Sequence, residues 1–96
     1  MTEREIVRRA YAMTVKILRK RIGLAQESLA LEAGVDRAYM SGLERSKHNP
    51  TLATVLRFLP HLKVTFAEFA AEFDICLRRA KWEARSRAMH DRKALG

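Results

Sequence analysis

Cysteine is nearly absent from this chain. The single Cys76 excludes an internal disulfide, and no second cysteine or histidine stands at a metal-ligand spacing from it. His48, His61 and His90 are scattered in the way surface histidines are, so neither a metal nor another cofactor is expected. No apolar run approaches the roughly 18 residues that a membrane span needs. The opening stretch MTEREIVRRAY is too charged for a signal peptide. These absences point to a cytoplasmic protein with no membrane-spanning segment. There is also no glycine-rich phosphate loop, no paired-carboxylate pattern and no Ser/His/Asp or Cys/His arrangement at a catalytic spacing. The expectation is that the chain is not an enzyme and takes no small-molecule ligand.

What is present is an excess of positive charge. Lys+Arg 19 against Asp+Glu 11 leaves +8 on 96 residues, with a pI near 10.4. Such an excess favours a polyanionic partner, either nucleic acid or an acidic membrane surface. The length suits one domain able to bury a core without covalent staples.

Only two prolines, Pro50 and Pro60, and four glycines interrupt the chain, and between them the apolar spacing is helical. Thr2 and Glu5 form a T-x-x-E capping signature for a first helix carrying Ile6, Ala10, Met13 and Ile17. Val7, Tyr11, Leu18 and Ile22 widen that stripe, and Gly23 ends it. A short second helix covers Gln26 to Ala33, burying Leu29, Ala30 and Ala33 before Gly34 closes it. Asp36 caps a third helix. Thr51 caps a fourth, which carries Leu52, Val55, Leu56 and Leu59 and is ended by Pro60. T-F-A-E at Thr65 opens a fifth, presenting Phe66, Phe69, Ala70 and Phe73. No segment has the alternation of a half-buried strand, so the fold class is all-α.

The third helix has an uneven wheel. At 100° per residue Met40 and Leu43 lie on one side, while Arg37, Ala38, Ser41, Gly42 and Arg45 share the other. That outer arc is small in the middle and cationic at its rim, which suits close approach to a polyanion. The arc also offers a reason for Gly42, which costs about 0.5–1 kcal/mol relative to alanine inside a helix. Counted from Gln26, Ala30 comes four residues later, Gly34 eight, Met40 fourteen and Leu43 seventeen. Two helices crossing steeply through a tight turn need a small residue, a turn glycine and an apolar pair in that order. The DNA-binding helix-turn-helix makes those demands and places its second helix in the major groove.

The pieces LRKRIGLAQESLA, AGVDRAYMSGLER, NPTL and VTFAEF, in that order, resemble the lambda-repressor-like, or XRE, helix-turn-helix domain from about Leu18 to Phe73. The resemblance implies a five-helix domain over residues 1–73 with the helix-turn-helix at about 26–45. It implies that Gln26 meets a DNA phosphate and that Arg37 and Ala38 reach base edges, with arginine favouring guanine. Ser41 and Gly42 continue along the groove, and Arg45, Lys47 and His48 grip the backbone. Arg19 and Glu44 match a structural pair tying the first helix to the third. The chain departs from the family at Ala25, where a capping Ser or Thr is usual, and at Ser46, where glycine is usual. The string DRAYMSGLER looks especially like controller proteins of restriction–modification systems.

Beyond residue 74 the family pattern runs out. Residues 75–96 hold seven Lys and Arg against two acids. Ile75, Trp82 and Met89, seven apart, form a stripe nearly opposite Phe73, Leu77, Ala80, Ala84 and Ala88. This pattern predicts a basic amphipathic sixth helix or tail over 74–96, with the Ile75 stripe as a contact for a dimer mate or another protein. The sequence thus leads to a sequence-specific regulator of transcription that binds double-stranded DNA as a homodimer on a palindromic operator. The alternative is an antitoxin that covers its toxin with residues 74–96.

Overall fold

The computed structural model describes residues 1–95, with side chains through residue 92. Among them are five helices and no strand: α1 (Glu3–Arg21), α2 (Gln26–Ala33), α3 (Arg37–Glu44), α4 (Leu52–Leu62) and α5 (Phe66–Leu95).

Local chemistry sets most helix starts. The Thr2, Asp36 and Thr51 side chains accept hydrogen bonds from the backbone N–H groups of Glu5, Tyr39 and Thr54 at 3.2–3.3 Å. At α5 the capping box is complete. Thr65 Oγ1 accepts from the Glu68 N–H at 3.1 Å, and the Glu68 carboxylate accepts from the Thr65 N–H at 3.0 Å. Only α2 enters uncapped among the first four helices, because Ala25 has no side-chain acceptor to offer.

Helices α1 to α4 all end in the same paired backbone bonds over a left-handed residue, of the Schellman type. At the end of α2 that residue is Gly34 (φ 70°), which lets the chain reverse toward α3 within three residues. At the end of α3 it is Ser46 (φ 64°), where a Cβ is a liability. Ser46→Gly should therefore raise folding stability by about 1 kcal/mol. Urea unfolding would check this, and an unchanged or lower midpoint would mean the loop carries no such strain.

Helix α1 is buried on two sides. Val15 and Leu18 face a core shared by Leu29 of α2, Met40 and Leu43 of α3, and Val55, Phe58 and Leu62 of α4. Ala10 and Met13 face α5, where they meet Cys76 and Ala80. The stripe predicted through Ile6, Ala10, Met13 and Ile17 is therefore the α5-facing side, while Ala12, Thr14 and Val15 are buried as well. Two ion pairs, Arg9–Glu83 at 3.2 Å and Arg21–Glu72 at 3.3 Å, mark α1 and α5 as antiparallel neighbours.

Three sequence expectations need correction. Pro60 does not end α4, which continues to Leu62 and caps on Lys63 (φ 58°), so the proline sits inside the last turn. Leu52, Leu56 and Phe66 are exposed rather than packed, while Phe58, unremarked in the sequence, is fully buried. The separate sixth helix does not exist among the described residues: α5 runs unbroken for 30 residues, about 45 Å at 1.5 Å per residue. The physical reason is that no glycine or proline separates Pro60 from Gly96, and Ala, Arg, Leu and Glu propagate a helix readily. Gly96 lies outside the described residues.

Candidate nucleic-acid interface

Ala30, only 3% exposed, lets α2 and α3 cross closely, and the fully buried Met40 and Leu43 pin α3 to the core. Its orientation is further fixed by charge. Arg19 of α1 donates from Nε and Nη2 to the two carboxylate oxygens of Glu44 at 2.7 and 2.8 Å, a bidentate fork. Its Nη1 donates to the Leu24 carbonyl at 2.8 Å. Both residues are buried. The hydrogen bond to Glu44 holds the Arg19 guanidinium above its usual pKa although burial pulls it down, so Arg19 keeps its charge inside the fold.

Gln26 joins this network instead of facing outward. Its amide donates to Glu44 Oε1 at 3.1 Å, so at the start of α2 the side chain is turned toward α3. The phosphate contact expected of Gln26 would fall to its remaining amide atoms and to the backbone N–H groups of the first turn.

On the outward arc of α3, Arg37, Ala38 and Arg45 are exposed and Ser41 is half-buried. The Arg37 guanidinium is paired through Nη2 with the Glu27 carboxylate of α2. Arg45 folds back along the helix, its Nε donating to the Ser41 carbonyl at 3.3 Å. Lys47 is exposed, with its backbone N–H bonded to the Gly42 carbonyl at 2.9 Å.

Gly42 itself is buried, which revises the reason for its presence. The imidazole of His48 lies over it, and a Cβ at this position would stand 2.6 Å from His48 Nε2. The same imidazole stacks on Tyr39, with ring centroids 4.8 Å apart and planes 13° from parallel. Glycine here makes room for the returning loop. The His48 ring, stacked on Tyr39, covers that part of the arc, and the two rings stand beside the exposed Arg37, Ala38 and Lys47.

Two members of this surface escaped the sequence reading. Tyr39 lies beside Gly42 on the helical wheel, and that position is the available hint of its stack on His48. Glu27, brought to this surface by its pairing with Arg37, gives no periodic signal because its partner lies ten residues away across a turn. Ile75, Trp82 and Met89 are exposed along α5, the last two by 67% and 59%, on the side away from α1. Among the described residues no cluster of His, Cys, Asp or Glu could hold a metal, and no helix is long and apolar enough to cross a membrane.

The chain has relatives that share this geometry. The profile of the helix-turn-helix family matches residues 15–69, more than half its length. An uncharacterised HTH-type transcriptional regulator, y4dJ of Sinorhizobium fredii (strain NBRC 101917 / NGR234), is 35% identical over 57 residues, which are 59% of this chain and 74% of that one. Among solved structures, the restriction-modification controller protein C.Esp1396I, a tetramer in complex with its natural 35 base-pair operator, superposes with a TM-score of 0.68 at 27% identity. The match covers 74% of this chain and 93% of that one. The controller protein C.AhdI from Aeromonas hydrophila matches at 0.60 and 32% identity, over 65% of this chain and 94% of its own. The chain therefore belongs to the XRE-type helix-turn-helix family of DNA-binding transcriptional regulators.

Proposed function

We propose that this protein is a sequence-specific regulator that binds double-stranded DNA as a homodimer on a palindromic operator, with α3 in the major groove. The carrying observation is the outward arc of α3, which presents Arg37 and Ala38 from a helix locked by the buried Arg19–Glu44 fork. Arg37 offers a bidentate donor pair to guanine O6 and N7, and Ala38 offers a methyl contact to thymine. Lys47, with Arg45, supplies positive charge to the flanking phosphates. The likeness to controller proteins, one of them solved on its operator, supports a controller-like role in this setting. A cytoplasmic location follows from that role.

One recognition helix contacts few base pairs, and two-fold repetition supplies the rest of the specificity. For the dimer face we favour the exposed Leu52, Leu56 and Phe66 over the α5 stripe. The first borders an apolar hollow lined by Tyr11, Val55, Phe69 and Phe73, with no charged side chain among its lining residues. The stripe of Ile75, Trp82 and Met89 is flanked by Arg78, Lys81, Arg85 and Arg92, so antiparallel pairing of two copies sets like flank against like flank. That stripe is better suited to a partner protein of opposite charge, which is the observation that keeps the antitoxin reading alive.

The test is selection of bound sites from a random duplex pool at stated salt. Enrichment of an inverted repeat, with half-sites one helical turn of about 34–36 Å apart, is the expected outcome. Salt-sensitive binding that enriches nothing would overturn the proposal. Sedimentation of Phe66→Glu should show monomer where the parent shows dimer, while Trp82→Glu keeps the parent mass. The reverse pattern would move the dimer face to α5.

A further inference from the structure

We propose that Glu27 is the positioning residue that makes Arg37 a reader of bases rather than a binder of any phosphate. The inference rests on the DNA-binding reading above and adds to it a determinant of specificity on a different helix. Arg37 opens α3 and Glu27 sits in the first turn of α2, so the two meet across the mouth of the turn. Their ion pair spans a surface hollow lined by Ala30, Leu31, Val35 and Asp36. Both side chains are largely exposed, 77% for Arg37 and 66% for Glu27, so neither is held there by burial. The other carboxylate beside Arg37, that of Asp36, is already accepting from the Tyr39 N–H at 3.3 Å.

Two consequences follow from the geometry. Glu27 engages the guanidinium at Nη2, and a carboxylate oxygen on one edge leaves the N–H pair of the other edge for an acceptor while restraining a side chain that otherwise loses much rotamer freedom on binding. A restrained fork suits the two fixed acceptors of guanine. The carboxylate also cancels the charge that would draw Arg37 to a phosphate, and it lies well within one Debye length, about 10 Å at 0.1 M salt, of any phosphate Arg37 could reach. Phosphate contacts carry no sequence information, so suppressing one raises the ratio of specific to nonspecific affinity. Glu27 also favours the positive end of α2, which has no side-chain cap. That stabilising role alone would leave base preference untouched.

The experiment measures binding to the selected operator and to a random duplex of equal length, for the parent, Glu27→Gln, Arg37→Ala and the double variant. Glu27→Gln keeps size and hydrogen bonding but removes the charge. It should raise affinity for the random duplex several-fold, steepen its salt dependence by about one unit, and lower the operator-to-random ratio about fivefold. In the Arg37→Ala background the same change should leave that ratio where it was. A ratio unchanged by Glu27→Gln, or an equal fall with and without Arg37, would overturn the role assigned to Glu27 while leaving the regulator reading in place. A parent protein without any preference among duplexes would instead overturn the regulator reading itself, and this inference with it.

Discussion

Glu44→Ala should cost about 3–5 kcal/mol of folding stability, the range for removing one partner of a buried ion pair. The substitution leaves the Arg19 guanidinium buried with the Leu24 carbonyl as its remaining acceptor, and it removes the acceptor of the Gln26 amide. Against the 5–15 kcal/mol that holds a typical domain together, that loss is a large fraction. For a chain of this length it corresponds to a fall in melting temperature of roughly 15–30 °C. The paired replacement Arg19→Met with Glu44→Leu removes both charges and fills similar volume, so it should recover most of the loss. Chemical denaturation of the three variants checks the argument. A single variant within 1 kcal/mol of the parent, or a double variant no better than the single, would show that the fork is not what ties α3 to α1.

The helix starts could be read in the sequence because each depends on a few adjacent atoms. Thr2, Asp36, Thr51 and Thr65 all cap as their side chains allow. The turn before α3 was legible for the same reason, since Gly34 takes the left-handed position that its lack of a Cβ permits. What failed were inferences about faces. A helix buried on two sides, as α1 is, shows no single stripe, and the strongest periodicity along it marked only the α5 contact. A proline ordinarily terminates a helix, yet in the last turn of α4 Pro60 forfeits one backbone bond and the helix continues to Leu62. The expected break near residue 74 rested on a family pattern ending, which is not a physical signal, and the alanine- and arginine-rich stretch simply prolongs α5.

The candidate site divides along the same line. The outward arc of α3 follows from the burial of Met40 and Leu43 and was readable at 100° per residue. Side chains meeting across a loop were not. Gln26 bends inward to Glu44, Glu27 reaches Arg37, and His48 returns over Gly42, and each depends on where a turn sends the chain. Charge alone would have left Glu27 as one more surface acid.

Gly42→Ala separates recognition from stability. Alanine improves helix propensity by about 0.5–1 kcal/mol at this position. The new Cβ would displace the His48 ring, the outer end of a side chain able to swing away, and the stack on Tyr39 would be lost. That stack is worth about 0.5–1.5 kcal/mol, so the two effects nearly cancel and the melting temperature should move by only a few degrees. Binding should not be spared. His48 and Tyr39 clasp the loop that carries Lys47 against α3, and a loosened clasp leaves those groups to be ordered at the moment of contact. Operator affinity should fall about tenfold. In a His48→Ala background the ring is already gone, so Gly42→Ala should stabilise the fold and cost no further affinity. Anisotropy titration and thermal unfolding of the four proteins decide the matter. A Gly42→Ala protein that binds as well as its parent would show that the clasp lies outside the contact surface. A loss of more than 2 kcal/mol in stability would show that the His48 ring cannot leave, and that Gly42 serves the fold before it serves recognition.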